Sequence, residues 1–151
     1  MANITLGKLL DRVEVFEDRL TAFYADVRDQ SQDNGVRLLT YYLARHKRHH
    51  QQALCDFEKT DVAKLRRTKI PHDIPFLPEP ELPLLKVSPR EVTGRGLLEC
   101  AMCYNAQLVR LYTNILMVPL NQDVSFLILR LIQIEARDSE MLKKMTALHY
   151  F

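Results

Sequence analysis

Apolar residues recur along this chain every three or four positions in four long segments, the spacing of helices with one buried face. The segments cover about residues 5–29, 34–60, 89–118 and 122–149. Short polar turns join the first segment to the second and the third to the fourth. Each pair is therefore predicted to form an antiparallel helical hairpin. We expect Asp33 to cap the second helix, and Ser88, followed by Pro89, to begin the third.

A proline-rich segment at about residues 64–88 separates the two hairpins. Six of the seven prolines fall between positions 71 and 89, which argues against a helix or a central strand. Interspersed apolar residues such as Ile74, Phe76 and Leu82 favour an extended strap packed over the helices. A long crossover of this kind joins the helical pairs in one class of four-helix bundle. Residues 1–151 are therefore predicted to form a single all-α domain.

Composition narrows the class of protein further. The chain has 151 residues, 47% hydrophobic and 26% charged, as in an ordinary globular domain. Its net charge of +2 gives little reason to expect a specific nucleic-acid partner or a membrane surface. No apolar run reaches the ~20 residues of a membrane span, and Asp11 comes too early for a secretory signal. Three cysteines without disulfide spacing favour reduced thiols, and so a cytoplasmic location.

Each helical segment carries a polar interruption of its apolar stripe near its middle. The interruptions are Glu17 in the first, His50 in the second, Asn105 in the third, and the pair Glu135 and Asp138 in the fourth. His46 and Lys47 flank His50. Burying an ionisable group costs several kcal/mol unless it is paired or bound to a metal. Because helical hairpins bring their midpoints together, these residues are predicted to form a polar cluster in the core.

The spacing around these positions resembles the ferritin-like superfamily, most closely rubrerythrin-type four-helix proteins. Glu17 is followed seven residues later by Tyr24, and Asn105 by Tyr112 at the same spacing. The second segment reads Lys-Arg-His-His at 47–50, and the fourth reads Glu-Ala-Arg-Asp at 135–138, where the family has Glu-x-x-His. The resemblance covers most of the chain in architecture more than in identity. It implies a ferritin-like four-helix bundle made of two hairpins and a long crossover.

The family's di-metal centre takes a Glu from each of two helices and a Glu-x-x-His pair from each of the other two. By this resemblance Glu17, His50 and Glu135 keep the ligand type. Three positions depart from the pattern: Lys47 and Asn105 stand for Glu, and Asp138 stands for His. Losing carboxylates removes negative charge that would hold two cations. The Lys47 ammonium is expected to neutralise Glu17 or Glu135 in place of a metal.

Two functions follow from this departure. The first is a degenerate ferritin-like protein without cofactor or catalytic activity, acting as a structural or interaction protein for a partner that the sequence does not identify. The second is a metal-dependent oxidoreductase or iron-handling protein. It would hold iron, manganese or zinc through Glu17, His50, Glu135 and Asp138, with His46 as second choice. We predict the first, as a homo-oligomer of two or more chains, and metal content distinguishes the two.

Two other motifs have plainer interpretations. Cys100 and Cys103 form a lone C-x-x-C inside a helix, with no second pair for zinc, so they are predicted to be small core residues. Arg45, Arg48 and His49 are predicted to face outward. Because no aromatic residues accompany this basic face in a known motif, we interpret it as solvated surface.

Overall fold

The computed structural model describes residues 3–56, 59–71, 74 and 76–148, with residues 59–62 described by their backbone alone. Within these residues the chain forms five α-helices and two short strands. They are β1 (Asn3–Thr5), α1 (Leu6–Gln30), α2 (Asn34–Cys55), α3 (Lys59–Arg66), β2 (Lys69–Pro71), α4 (Gly94–Leu116) and α5 (Gln122–Ala147). The predicted all-α class is confirmed, because helix dominates and the two strands form only a small antiparallel pair.

Side-chain caps fix where the long helices begin. Asp33 accepts hydrogen bonds from the backbone N–H groups of Gly35 and Val36, as predicted. The third long helix starts later than predicted, because Thr93, not Ser88, caps α4 through the N–H of Gly96. Residues 89–91 instead form a separate 3₁₀ turn. The extended backbone of Val92 and Thr93 separates that turn from α4.

The four long helices pack side by side around one apolar core. α1 packs mainly on α2 and α4 on α5, while α2 also contacts α5 and α4. Three residues join α1 to α2 and five join α4 to α5, so each pair turns back on itself as a hairpin. Fully or almost fully buried side chains from all four helices form the centre of the core, among them Leu9, Val13, Leu39, Leu108, Ile115, Ile128 and Leu131.

The long connection between the hairpins runs along α1. After α3 it enters β2, which pairs with β1 and places Ile70 opposite Ile4. Further on, the Phe76 ring packs edge-on against Phe16, with ring centroids 6.2 Å apart. Glu79 then pairs with Arg19, one turn farther along α1. The segment therefore packs against the helices as the predicted strap, and it carries the chain toward the other end of the hairpins.

This connection is more structured than the sequence indicated. The second helix ends at Cys55, not near residue 60, and the short α3 follows; residues 57–58 lie outside the described part. The strap contains 3₁₀ turns at Glu79–Glu81 and Pro83–Lys86. α3 approaches α1 at Gly7, where a Cβ atom would lie 2.9 Å from the Arg66 carbonyl oxygen. The last of the four predicted helices, α5, ends at Ala147, and its predicted end at residue 149 lies outside the described residues.

The cysteines behave as ordinary side chains of the fold. All three are free thiols: Cys55 is exposed, Cys100 is buried and Cys103 is partly buried. Burial, followed by the neighbouring Cys103, raises the pKa of Cys100 to about 11. A thiol with that pKa is a poor nucleophile at neutral pH.

Across the described helices, no segment is both long enough and apolar enough to cross a membrane.

Candidate functional site

The predicted polar cluster lies in the core between the two hairpins. Glu17 on α1, His50 on α2, Asn105 on α4 and Glu135 on α5 are all buried, with exposed fractions of 6% or less. Asp138, one turn beyond Glu135, keeps 15% of its side chain exposed. The helical periodicity therefore placed the inward-facing polar side chains correctly.

His46, the second-choice ligand, occupies the centre of the cluster. Its Nδ1 atom lies 2.8 Å from Glu17 Oε1, and its Nε2 atom lies 2.6 Å from Glu135 Oε1. The ring thus joins a carboxylate of α1 to a carboxylate of α5 across the core. A neutral imidazole carries one N–H, whereas the protonated form carries two. The arrangement of one ring between two acidic groups therefore favours the imidazolium.

The pKa of His46 reflects a competition between burial and charge. Burial alone would lower this pKa, but the charge of Glu17, the hydrogen bond to Glu135 and the charge of Glu135 outweigh it. The pKa of His46 is therefore raised well above its ordinary value of 6.5. Burial raises the pKa of Glu135, and contact with His46 opposes that rise. The cluster thus supplies its own cation between two acidic groups.

Asn105 holds Glu135 from the side opposite His46. Its Nδ2 atom donates to Glu135 Oε2 at 2.6 Å and to the backbone oxygen of Glu135 at 3.0 Å. The resemblance places a metal-binding glutamate at this position. An amide that donates to the neighbouring carboxylate contributes no negative charge, and its nitrogen is already engaged. Asn105 therefore serves to orient Glu135.

His50 contacts a tyrosine instead of the acidic side chains. Its Nε2 atom lies 2.8 Å from the Tyr112 hydroxyl, and the two rings are nearly parallel at 22°. Burial, reinforced by the charge of His46, lowers the pKa of His50 to about 4, although Glu17 opposes this. His50 is therefore a neutral hydrogen-bonding partner at pH 7. The predicted ligand is buried as expected, but its imidazole is directed to Tyr112.

Lys47 does not have the role that the sequence predicted. Its ammonium pairs with Asp18 at the surface, and its side chain is 28% exposed. The long aliphatic stem of a lysine allows its charge to reach solvent from a partly buried position. The charge expected from Lys47 comes instead from His46, four residues before His50 and on the same face of α2. That spacing was the signal in the sequence for His46.

Replacing Lys47 by methionine is expected to change the free energy of unfolding by no more than ~1 kcal/mol, because exposed ion pairs contribute little. Asp18→Asn, which removes the partner of Lys47, provides the matched control with the same small effect. Urea denaturation at pH 7 measures both. A loss of several kcal/mol for Lys47→Met alone would mean that its ammonium balances the buried carboxylates after all.

A cavity of about 250 Å³ extends from this cluster toward the surface. Its polar end includes Glu17, His46, Tyr104 and Asp138, and the exposed Arg45 and Arg137 also line it. His49 is 43% exposed, consistent with its predicted outward position, and its Nδ1 atom lies 3.4 Å from Asp138 Oδ1. Sequence reasoning missed Tyr104, which precedes Asn105 and lies four residues after Cys100 on the same buried stripe.

The side chains as arranged do not fit a di-metal centre. Both ring nitrogens of His46 face carboxylate oxygens, Asn105 holds Glu135, and His50 faces Tyr112. Within the described parts of the chain, no group of three or more His, Cys, Asp or Glu side chains is placed to hold a metal ion. Two hard cations need several free anionic oxygen ligands, whereas here His46 and Asn105 engage both oxygens of Glu135 and Glu17 Oε1 faces His46.

Comparisons with known proteins give no match: no family model fits the chain, and no curated protein or solved structure is significantly similar to it. Function is therefore inferred from the residues and their geometry.

Proposed function

We propose that this chain is a ferritin-like four-helix bundle protein whose di-metal centre has been replaced by a histidine, and that it acts as a non-catalytic structural or interaction protein. The observation that carries this proposal is the position of His46 between Glu17 and Glu135, 2.8 and 2.6 Å from their oxygens. An imidazolium supplies a positive charge, a hydrogen bond to Glu135 and an ion pair with Glu17 where the related centre would hold metal ions. The imidazolium then offsets part of the negative charge of Glu17 and Glu135 without a bound metal ion.

The connectivity of the chain supports the ferritin-like part of the proposal. Two helical hairpins joined by a long crossover along α1 match the order of elements that the resemblance implies. Large apolar side chains on the outer faces of α2 and α5 support assembly into a homo-oligomer. Leu38, Tyr41, Phe126 and Leu129 are each between 44% and 56% exposed, and exposed apolar groups of this size are common at protein interfaces.

A metal-binding oxidoreductase or iron-handling protein is the alternative. It is favoured by the direct contact of Glu17, His46 and Glu135, which are side chains of the types that bind transition metals. A metal ion would have to displace the proton of His46 and separate the ring from at least one carboxylate. Breaking that contact would cost free energy, and this is the physical reason to prefer the non-catalytic proposal.

Metal content tests the proposal directly. We expect iron, manganese and zinc far below one ion per chain in protein purified without chelators or a histidine tag, measured by inductively coupled plasma mass spectrometry. Glu17→Ala, His50→Ala and the surface control Glu99→Ala are analysed alongside, with circular dichroism to verify that each variant is helical. A stoichiometric metal that disappears in the first two variants and persists in Glu99→Ala would overturn the proposal in favour of the alternative.

A further inference from the structure

We propose that the cavity beside the polar cluster binds a small primary amine with an apolar body. The cavity combines buried acidic groups at one end with an apolar wall, and it reaches the surface of the bundle. This inference is independent of whether the protein acts as an interaction protein, because it concerns a site that the His46 contacts leave open.

The polar end of the cavity contains hydrogen-bonding atoms without partners. Among the described residues, four buried atoms here make no hydrogen bond: the Tyr104 hydroxyl, Asp138 Oδ2, Glu17 Oε1 and His46 Nδ1. Tyr104 is only 4% exposed and lines the cavity. Glu17 Oε1 contacts His46 Nδ1 at 2.8 Å as an ion pair, but with an angle too poor for a hydrogen bond. Native proteins leave few buried polar atoms unsatisfied, so these atoms indicate a missing partner.

The types of these atoms point to a ligand that donates hydrogen bonds. Two of the four are carboxylate oxygens, which only accept, and one is a hydroxyl, which can accept. The fourth, His46 Nδ1, is a donor that already faces Glu17. A primary ammonium carries three N–H donors and a positive charge, and charge-assisted hydrogen bonds are the stronger kind. Among the described residues at this end, Glu17, Glu135 and Asp138 are acidic. His46 lies between the first two, His50 is neutral, and the exposed His49 lies 3.4 Å from Asp138 Oδ1. Charge therefore also favours a cationic head group.

The wall of the cavity determines the size and polarity of the rest of the ligand. It is formed largely by Leu20, Tyr24, Leu43, Ala101, Leu142 and Met145. Typical small-molecule pockets have volumes of about 300–1,000 Å³, so a cavity of about 250 Å³ takes a ligand at the small end of that range. An unbranched or singly aromatic amine such as hexylamine or 2-phenylethylamine has the matching size and polarity.

Positively charged side chains at the entrance of the cavity would favour a different ligand, an anion. Arg45 and Arg137 are exposed there, and the Arg45 guanidinium lies 5.0 Å from the centre of the Tyr42 ring. These cations would select an anion, such as a short fatty acid, if the entrance dominated recognition. Solvent screens exposed charges far more than buried ones, so the buried acidic end is expected to decide selectivity.

Isothermal titration calorimetry of the full chain with hexylamine, hexan-1-ol and hexanoate tests the proposal. We expect hexylamine to bind about tenfold or more tightly than its two analogues, because only the ammonium supplies charge-assisted donors. Asp138→Asn is expected to weaken hexylamine binding by a similar factor. Glu99→Gln, which removes an exposed carboxylate elsewhere on α4, leaves binding unchanged.

A second variant separates binding from folding. Ala101→Phe fills the cavity from its apolar wall, and it should abolish hexylamine binding while circular dichroism reports whether the helices remain. Equal affinity for hexylamine and hexan-1-ol, or tighter binding of hexanoate, would overturn the proposal. Absence of heat and of any chemical-shift change with hexylamine in the folded wild type would do the same. Metal analysis of the same samples reports separately on the proposed function.

Discussion

His46→Leu is expected to lower the free energy of unfolding by about 3–5 kcal/mol, the loss measured when one partner of a buried ionic contact is removed. Leucine has a similar volume but supplies neither the charge of the imidazolium nor its hydrogen bond to Glu135. Glu17 and Glu135, 3% and 0% exposed, would then face one another across the core without a cation. One carboxyl must take up a proton or move toward solvent, and both responses destabilise the fold.

Urea denaturation at pH 7, followed by circular dichroism, measures this loss. His49→Leu is the matched control on the same helix. Its side chain is 43% exposed and its contact with Asp138 is 3.4 Å, so we expect a change within ~1 kcal/mol. Similar small values for both variants would mean that His46 is not the cation that neutralises the cluster.

Coupling between His46 and the carboxyl groups gives a sharper check. In the His46→Leu background, Glu135→Gln removes one of the two stranded acids while keeping its shape. The double variant is therefore expected to be more stable than His46→Leu alone, although Glu135→Gln destabilises the wild type. Such opposite signs arise only when the residues share one interaction network. Strict additivity of the two substitutions would contradict a shared Glu–His–Glu contact.

The sequence identified the cluster but not its internal partners. Helical periodicity fixes which face of a helix a residue occupies, so Glu17, Asn105 and Glu135 could be placed inward. It does not fix the side-chain torsions that decide where a long or planar group ends. His46 and His50 lie one turn apart on the same face, yet the first ring joins two acids and the second joins Tyr112. Lys47 could likewise leave the core because its stem is flexible.

For the crossover, the sequence likewise predicted the general path of the backbone but not its local structure. Its proline content and apolar residues predicted a packed strap, because prolines exclude helix and apolar side chains need burial. The pairing of β1 with β2 joins residues more than 60 positions apart, and each strand has three residues. Strands this short carry no readable alternation of apolar and polar residues. The delayed start of α4 likewise depends on a tertiary contact, since the 3₁₀ turn at residues 89–91 packs against α1.

His46 and His50 are expected to change the stability of the fold with pH in opposite directions. The pKa of His50 falls from 6.5 in the unfolded chain to about 4 in the fold. Its contribution to stability is therefore complete above pH 6.5 and is lost as the pH falls toward 4, because the unfolded chain then binds the extra proton. The pKa of His46 is raised. Its contribution is complete below pH 6.5 and is lost as the pH rises through the pKa of the folded state.

His50→Gln isolates the contribution of His50 to the loss of stability at low pH. Glutamine can still hydrogen-bond to Tyr112 but does not titrate. The stability difference between wild type and this variant is expected to change by about 3 kcal/mol between pH 7 and pH 4, at 1.36 kcal/mol for each unit of pKa shift. The difference is needed because the raised pKa of Glu135 opposes His50 in the same range. Urea denaturation at half-unit pH intervals measures it. A difference that stays constant with pH would mean that His50 is accessible to protons in the fold, and that burial does not hold it neutral.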